Sequence, residues 1–185
     1  DARLRLSMPR TLDERIVIVD IDEKSIERIG RWPWGRDKLA TLTQELFVRQ
    51  RVAVLGFDVI FAERDNSSGL AALQALERGA LAKAPGFAEQ VAKLTPTLDH
   101  DALFARSLQG QAAVLGYYFT SDRKGHTLGS LPSAVITSAQ LRGRPLASTT
   151  WNGFGANLDV LSQAAPVAGF FNTISDNDGV IRSLP

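Results

Sequence analysis

Two apolar runs, each closed by an aspartate, constrain this chain more than any other feature. They are Ile16-Val17-Ile18-Val19-Asp20-Ile21-Asp22 and Val52-Ala53-Val54-Leu55-Gly56-Phe57-Asp58. A run rich in β-branched residues and lacking polar alternation reads as a strand buried on both faces, as in the middle of a parallel sheet. Helical patterns fill the interval. Glu23 to Ile29 allows two turns with Gly30 placed as a stop. Asp37 is placed to cap a longer helix with Leu39, Leu42, Leu46 and Phe47 on one face, ending near Arg51. Strand–helix–strand is therefore spelled out once, and such a unit is almost always parallel and right-handed.

The rest of the chain extends this plan. Asn66 to Thr97 turns to Ala, Leu and polar residues, with helical spacing at Leu70, Leu73, Leu76 and Leu81 and again at Phe87, Val91 and Leu94, broken at Pro85-Gly86. It reads as an inserted helical pair. Asp99 is placed to cap a helix bearing Leu103, Phe104 and Leu108, stopped by Gly110, and Ala112 to Phe119 follows as a third strand. Thr120 to Gly155 predicts loops with a short helix. A brief helix over Leu158 to Ala164 ends before Pro166. Val167 to Ile174 and Val180 to Leu184 flank the turn-rich string Ser175-Asp176-Asn177-Asp178-Gly179, which reads as a hairpin. The expected fold is one α/β domain over residues 1–185. Its central mixed sheet is parallel in the N-terminal half, with an antiparallel C-terminal hairpin and helices on both faces; residues 1–15 form a charged lead-in and 66–97 a helical insertion.

Composition removes several function classes. A chain of 185 residues, 44% hydrophobic and 22% charged, can bury a core and is not a disordered segment. Lys+Arg 21 against Asp+Glu 20 leaves a net charge of +1, which argues against a nucleic-acid partner. The absence of cysteine excludes disulfides, thiolate zinc sites, iron–sulfur clusters and thiol catalysis. His100 and His126 are too few for a histidine-rich metal site, and no cofactor is expected. No stretch approaches the roughly 18 apolar residues of a membrane span, and no signal peptide opens the chain. With Asp first and Pro last, the sequence reads as an excised piece of a longer protein.

The candidate chemistry lies at strand ends. Asp20, Asp22 and Asp58 close the two apolar runs, where open parallel sheets bind ligands, so they are placed either to hold a hard cation near phosphate or to cap helices. The Asp20-Ile-Asp22 string resembles the nucleophile motif of haloacid-dehalogenase-like phosphatases, but it continues with Glu23, Lys24 and Ser25 where that motif has Gly or Phe and then Thr. Trp32-Pro33-Trp34-Gly35-Arg36 forms a stiff aromatic string between helices, its tryptophans expected to plug the sheet end. Arg36 precedes a helix start, where the dipole disfavours a cation; it therefore calls for a carboxylate partner, with Asp22 and Asp58 the expected ones. Asp176-Asn177-Asp178-Gly179 fails as a calcium loop, since Ile174 and Pro185 fall where oxygen ligands are required.

Taken together, these strings resemble the CHASE2 domain, the extracytoplasmic sensor module of bacterial transmembrane receptors. The resemblance lies in Ile21-Asp22, Ser25, Gly30 and Trp32-Pro33-Trp34-Gly35-Arg36, then Phe57-Asp58-Val59-Ile60-Phe61. It continues through the Asp-led stretch Asp101 to Phe119, and closes on Gly169, Asn172 and Asp178-Gly179-Val180-Ile181-Arg182. It covers roughly residues 14 to 185, interrupted by Asn66 to Thr97; Thr120 to Gly155 carries no alignable string.

The resemblance implies a non-catalytic extracytoplasmic domain of an inner-membrane receptor, with residues 1–15 as a juxtamembrane link. Flanking transmembrane helices would be partners, and the output would be a cytoplasmic adenylate, guanylate or diguanylate cyclase, a histidine kinase or a Ser/Thr kinase. The signal is an unknown small molecule or protein, and a homodimer is an open option. Asp22, Trp34, Arg36, Asp58, Asp101, Asn172, Asp178 and Arg182 are the expected ligand-binding or structural anchors. The competing readings are a metal-dependent phosphohydrolase using Asp20, Asp22 and Asp58, and a structural dimerisation spacer.

Overall fold

The structure is a computed structural model that describes residues 13–144, 149–175 and 181–183. It resolves into two compact units, Asp1–Trp34 and Gly35–Pro185. In chain order the first half contains α1 (Glu23–Ile29), α2 (Arg36–Gln44, continued by a π-helical turn Glu45–Arg49), β1 (Leu55–Gly56) and α3 (Leu70–Arg78). Next come α4 (Phe87–Leu98), α5 (His100–Leu108), β2 (Ala113–Thr120) and β3 (Thr127–Leu128). The remainder is α6 (Ser138–Leu141), β4 (Gly153–Gly155), α7 (Asp159–Ala164), β5 (Val167–Phe170), β6 (Ile174–Ser175) and β7 (Ile181–Ser183). This is the mixed α/β class expected.

In the first unit, α1 forms because Asp22 caps it. Its carboxylate accepts from the Ser25 amide at 2.9 Å and from the Ser25 hydroxyl at 2.7 Å. Gly30, at φ 110°, ends the helix in a conformation that favours glycine. The Trp34 indole donates to the Gly30 carbonyl at 2.7 Å, and its ring meets that of Trp32 edge-on with centroids 5.8 Å apart.

The expected buried strand at Ile16–Asp22 is not one. Ile16, Val17, Ile18 and Val19 are 73, 78, 89 and 55% exposed, and no backbone hydrogen bond ties Val17–Ile21 to another described residue. β-branching favours extended backbone, but only a neighbouring strand buries it, and among the described residues this run has none.

The second unit is organised around β2. β1 pairs with it in parallel through Leu55↔Ala113 and Gly56↔Val114. β5 also runs parallel to it, from Val114↔Val167 to Tyr117↔Phe170. β4 pairs antiparallel with its far end, Tyr118↔Gly155 to Thr120↔Gly153, and β3 lies parallel beside β4. The expected strand at Val52–Asp58 thus shrinks to a two-residue ladder. The hairpin also departs from expectation. β6 and β7 pair antiparallel as a separate two-stranded sheet, so the antiparallel neighbour in the main sheet is β4; the turn at 176–180 lies outside the described residues.

The buried core comes from Leu39, Ala40 and Thr43 of α2, Phe104, Ala105 and Leu108 of α5, Leu161 of α7, and Ala113 and Leu115 of β2. Phe57, Phe61 and Phe104 meet edge to face, with centroids 5.1–5.7 Å apart. The buried Asn157 carboxamide closes this arrangement. It accepts from the Phe61 amide at 2.8 Å and donates to the Gly116 carbonyl at 2.8 Å, joining the segment after β1 to the central strand. Replacing Asn157 by Leu leaves a buried amide and a buried carbonyl unpaired, at about 1–3 kcal/mol each. Urea denaturation should accordingly show Asn157→Leu destabilised by about 3 kcal/mol with its m-value unchanged.

Candidate functional site

A helix start concentrates unpaired amides that attract anions, so a cation there must be compensated. Arg36 is the first residue of α2, and Gly35 is its cap rather than the expected Asp37. The compensating carboxylate comes from 29 residues on. Asp65 accepts from the Arg36 amide at 2.6 Å and, through its other oxygen, from the Ser67 amide at 2.7 Å. Gly35 leaves room at the cap for the Ser67 hydroxyl and the Asp37 carboxylate, both of which would have to shift to admit a Cβ.

The Arg36 side chain turns inward. One Nη donates to the Glu63 carbonyl at 2.9 Å, and the guanidinium carbon lies 4.8 Å above the centre of the Phe61 ring. Its Nε stands 3.5 Å from Asp101 Oδ1, with the two side chains 12% and 10% exposed. That separation is an ion pair beyond hydrogen-bond reach, and neither atom has another hydrogen-bond partner. The second Asp101 oxygen accepts from the Asp65 amide at 3.1 Å. Residues 61–68 thus form a strap between β1 and α3, fastened by charge to α2 and α5.

His100, the first residue of α5, completes the cluster. Its Nδ1 lies 3.2 Å from the Ser67 hydroxyl, 3.3 Å from Asp65 and 3.5 Å from Asp37. Asp37, Asp65 and His100 offer ligand atoms within 4.8 Å of one another, so they are the residues that could hold a cation. Among the described residues this is the group so gathered, rather than Asp20, Asp22 and Asp58. Burial alone would raise the Asp65 carboxyl, but the hydrogen bonds from Ser67 and the Arg36 amide, with His100 nearby, hold it below the ordinary range. Burial raises the Asp101 carboxyl, against the pull of the Asp65 amide and the Arg36 guanidinium.

The sequence-derived residues divide accordingly. Arg36 and Asp101 come together, which corrects the pairing expected for Arg36: its carboxylates are Asp101 and Asp65, while Asp22 is engaged as the α1 cap. Asp58 is exposed and makes no ion pair or hydrogen bond among the described residues, and Asp20 is likewise exposed. Trp34 is buried. Asn172 accepts from the Phe119 amide at 2.6 Å and donates to its carbonyl at 2.8 Å, prolonging the pairing that β5 begins. Arg182 lies on β7, and Asp178 falls outside the described residues.

Sequence reasoning missed Asp65 and Asn157, and took His100 for a helix-end residue, which it is, without placing it beside Asp37 and Asp65. The Asp65-Asn66-Ser67 string carries the signature of a side chain bonding its own backbone two residues on, which was the available signal for the first. Elsewhere, a crevice lined by Leu115, Tyr117, Asn157, Ser162 and Ala165 has room for about one water.

These charges fasten structure to structure. The sequence model of one family of sensory domains, the CHASE2 domain, matches residues 1–185, and the chain belongs to that family. No curated protein and no solved structure matches it. No helix of the described residues is long and apolar enough to cross a membrane.

Two outcomes are expected. Removing one member of a buried pair costs about 3–5 kcal/mol, so Arg36→Ala should lose about 3 kcal/mol in urea denaturation. Arg36→Lys should recover only part of this, because an ammonium lacks the planar fork that reaches Glu63 and Asp101 together. For pH, the lowered Asp65 supplies stability at neutrality that disappears as pH falls through and below the ordinary carboxylate range. The raised Asp101 acts oppositely: its charged form is disfavoured in the fold, and that cost is relieved on acidification. Asp65→Asn should therefore flatten the acid limb of the stability profile, and Asp101→Asn should steepen it, both read from thermal midpoints.

Proposed function

We propose that the chain is the non-catalytic extracytoplasmic sensory domain of a membrane-bound receptor, controlling a cytoplasmic cyclase or kinase output. The observation that carries this reading is the family match along the whole chain. The site geometry supports it: Arg36, Asp65, Asp101 and His100 are largely buried and engaged with one another or with backbone groups. A sensor works by having two arrangements that a signal binds with unequal affinity, and a strap held by charge is an element able to take two positions. In this reading Arg36 and Asp101 set the resting state, Asp22 and Asn172 are structural, and residues 1–15 lead in from a membrane helix.

The test uses the parent receptor. An alkaline phosphatase fused after residue 185 should be active, since that enzyme matures only outside the cytoplasm. Arg36→Ala should change the basal cyclase or kinase output of the receptor at unchanged protein level. An inactive fusion defeats the placement, and an unaltered output defeats the assignment of Arg36. The competing phosphohydrolase reading predicts Mg²⁺-dependent release of phosphate from a generic ester, abolished by Asp20→Asn; the expected result is no release from either protein.

A further inference from the structure

Where an imidazole and a carboxylate of this chain meet at the surface, they close to full hydrogen-bonding distance: His126 Nδ1 stands 2.7 Å from Asp122 Oδ2. His100 holds off. Its Nδ1 faces three oxygens at nearly one distance, the Ser67 hydroxyl at 3.2 Å, Asp65 Oδ2 at 3.3 Å and Asp37 Oδ1 at 3.5 Å. A charge-assisted hydrogen bond draws its atoms to about 2.7–2.9 Å, and one ring proton serves one acceptor. Hydrogen bonding therefore does not account for the stand-off. Coordination does, because donors about 2.0–2.2 Å from a tetrahedral zinc ion lie roughly 3.3–3.6 Å from one another. The ligand atoms of Asp37, Asp65 and His100 all fall within 4.8 Å of one another, and Asp37, 44% exposed, is free to swing the remaining distance inward.

A second observation is independent of the histidine. The space among these donors opens where Gly35 has no side chain. A Cβ there would lie 2.8 Å from the Ser67 hydroxyl and 3.4 Å from Asp65 Oδ2, and against Asp37 Oδ1, so the glycine leaves a recess lined by three oxygens. Charge points the same way. Arg36 is matched by Asp101, which leaves Asp37 and Asp65 to share His100 between them. The start of α2 carries about half a positive charge, which two carboxylates exceed. Asp65 Oδ2 gives one lone pair to the Arg36 amide and keeps another for a ligand. Magnesium and calcium take oxygen donors alone, whereas one imidazole among carboxylates suits zinc.

We propose that Asp37, Asp65 and His100 bind a Zn²⁺ ion, with the Ser67 hydroxyl beside it as a neutral fourth donor. The ring coordinates through Nδ1 with its proton on Nε2, and the two carboxylates cancel the charge of the ion. Because Asp37 lies in the first turn of α2, Asp65 and Ser67 on the strap and His100 at the start of α5, the ion locks the strap to both helices. The site stands on geometry within the second unit and not on the sensor reading, so either can fail alone.

The test uses the whole chain, free of any tag, stripped with a chelator and dialysed against zinc at about a tenfold excess over protein. It should retain about one ion per chain, and its thermal midpoint should rise with zinc concentration, as binding to the folded form requires. Asp37→Asn keeps the size of a half-exposed side chain and so leaves the fold intact. It and His100→Gln should each weaken zinc retention at least about tenfold, while His126→Gln should leave it unaltered. Circular dichroism confirms that each variant is folded. The proposal is overturned by a wild-type chain that retains no zinc, or by retention that Asp37→Asn leaves undiminished.

Discussion

A guanidinium taken out of water must find acceptors, and everything around Arg36 follows from that need. Its place at the first residue of α2 makes the demand stronger, because the helix start is already electropositive. Asp65 answers at the helix amide, Asp101 at the side chain, and the Glu63 carbonyl at the outer nitrogen. None of these is near Arg36 in sequence. The cation therefore acts as a long-range constraint that draws the strap and the start of α5 to one point, and the Phe61 ring beneath it closes the apolar side.

Two polar residues that each engage Phe61 divide the work. Arg36 fastens the strap to helices, and Asn157 fastens the strap's first residue, through the Phe61 amide, to the central strand. A displacement of residues 61–68 would be felt in both the helices and the central strand, which is how a buried network converts a local event into a global one. The unsatisfied Nε and Oδ1 facing one another at 3.5 Å mark the seam where that network is least complete.

Much of this was legible in the residues. Asp99 caps α5, bonding the Ala102 amide at 2.9 Å, as its place before an apolar helical pattern predicts. Gly86, at φ 75°, separates α3 from α4 where Pro85-Gly86 breaks the pattern, and β2 lies within a residue of its expected span. That Arg36 requires a carboxylate followed from helix electrostatics; which carboxylate did not, because Asp65 and Asp101 are selected by chain folding rather than spacing. Ile16–Val19 shows the opposite failure. Its composition specifies extended backbone, whereas burial depends on what comes alongside, and composition carries no record of that. Asn157 left no trace because a single polar residue before a short helix reads as a cap, and its burial is a property of the neighbours.

Asn172 has a consequence of its own. A primary carboxamide carries N–H donors and a carbonyl acceptor side by side, and so can imitate a peptide group from the end of a short tether. By offering both to Phe119, it supplies one more rung of the ladder after the backbone has turned aside. The route of the polypeptide is thereby decoupled from the continuity of the sheet: the hairpin of β6 and β7 can depart on its own heading, and the core keeps a finished border behind it.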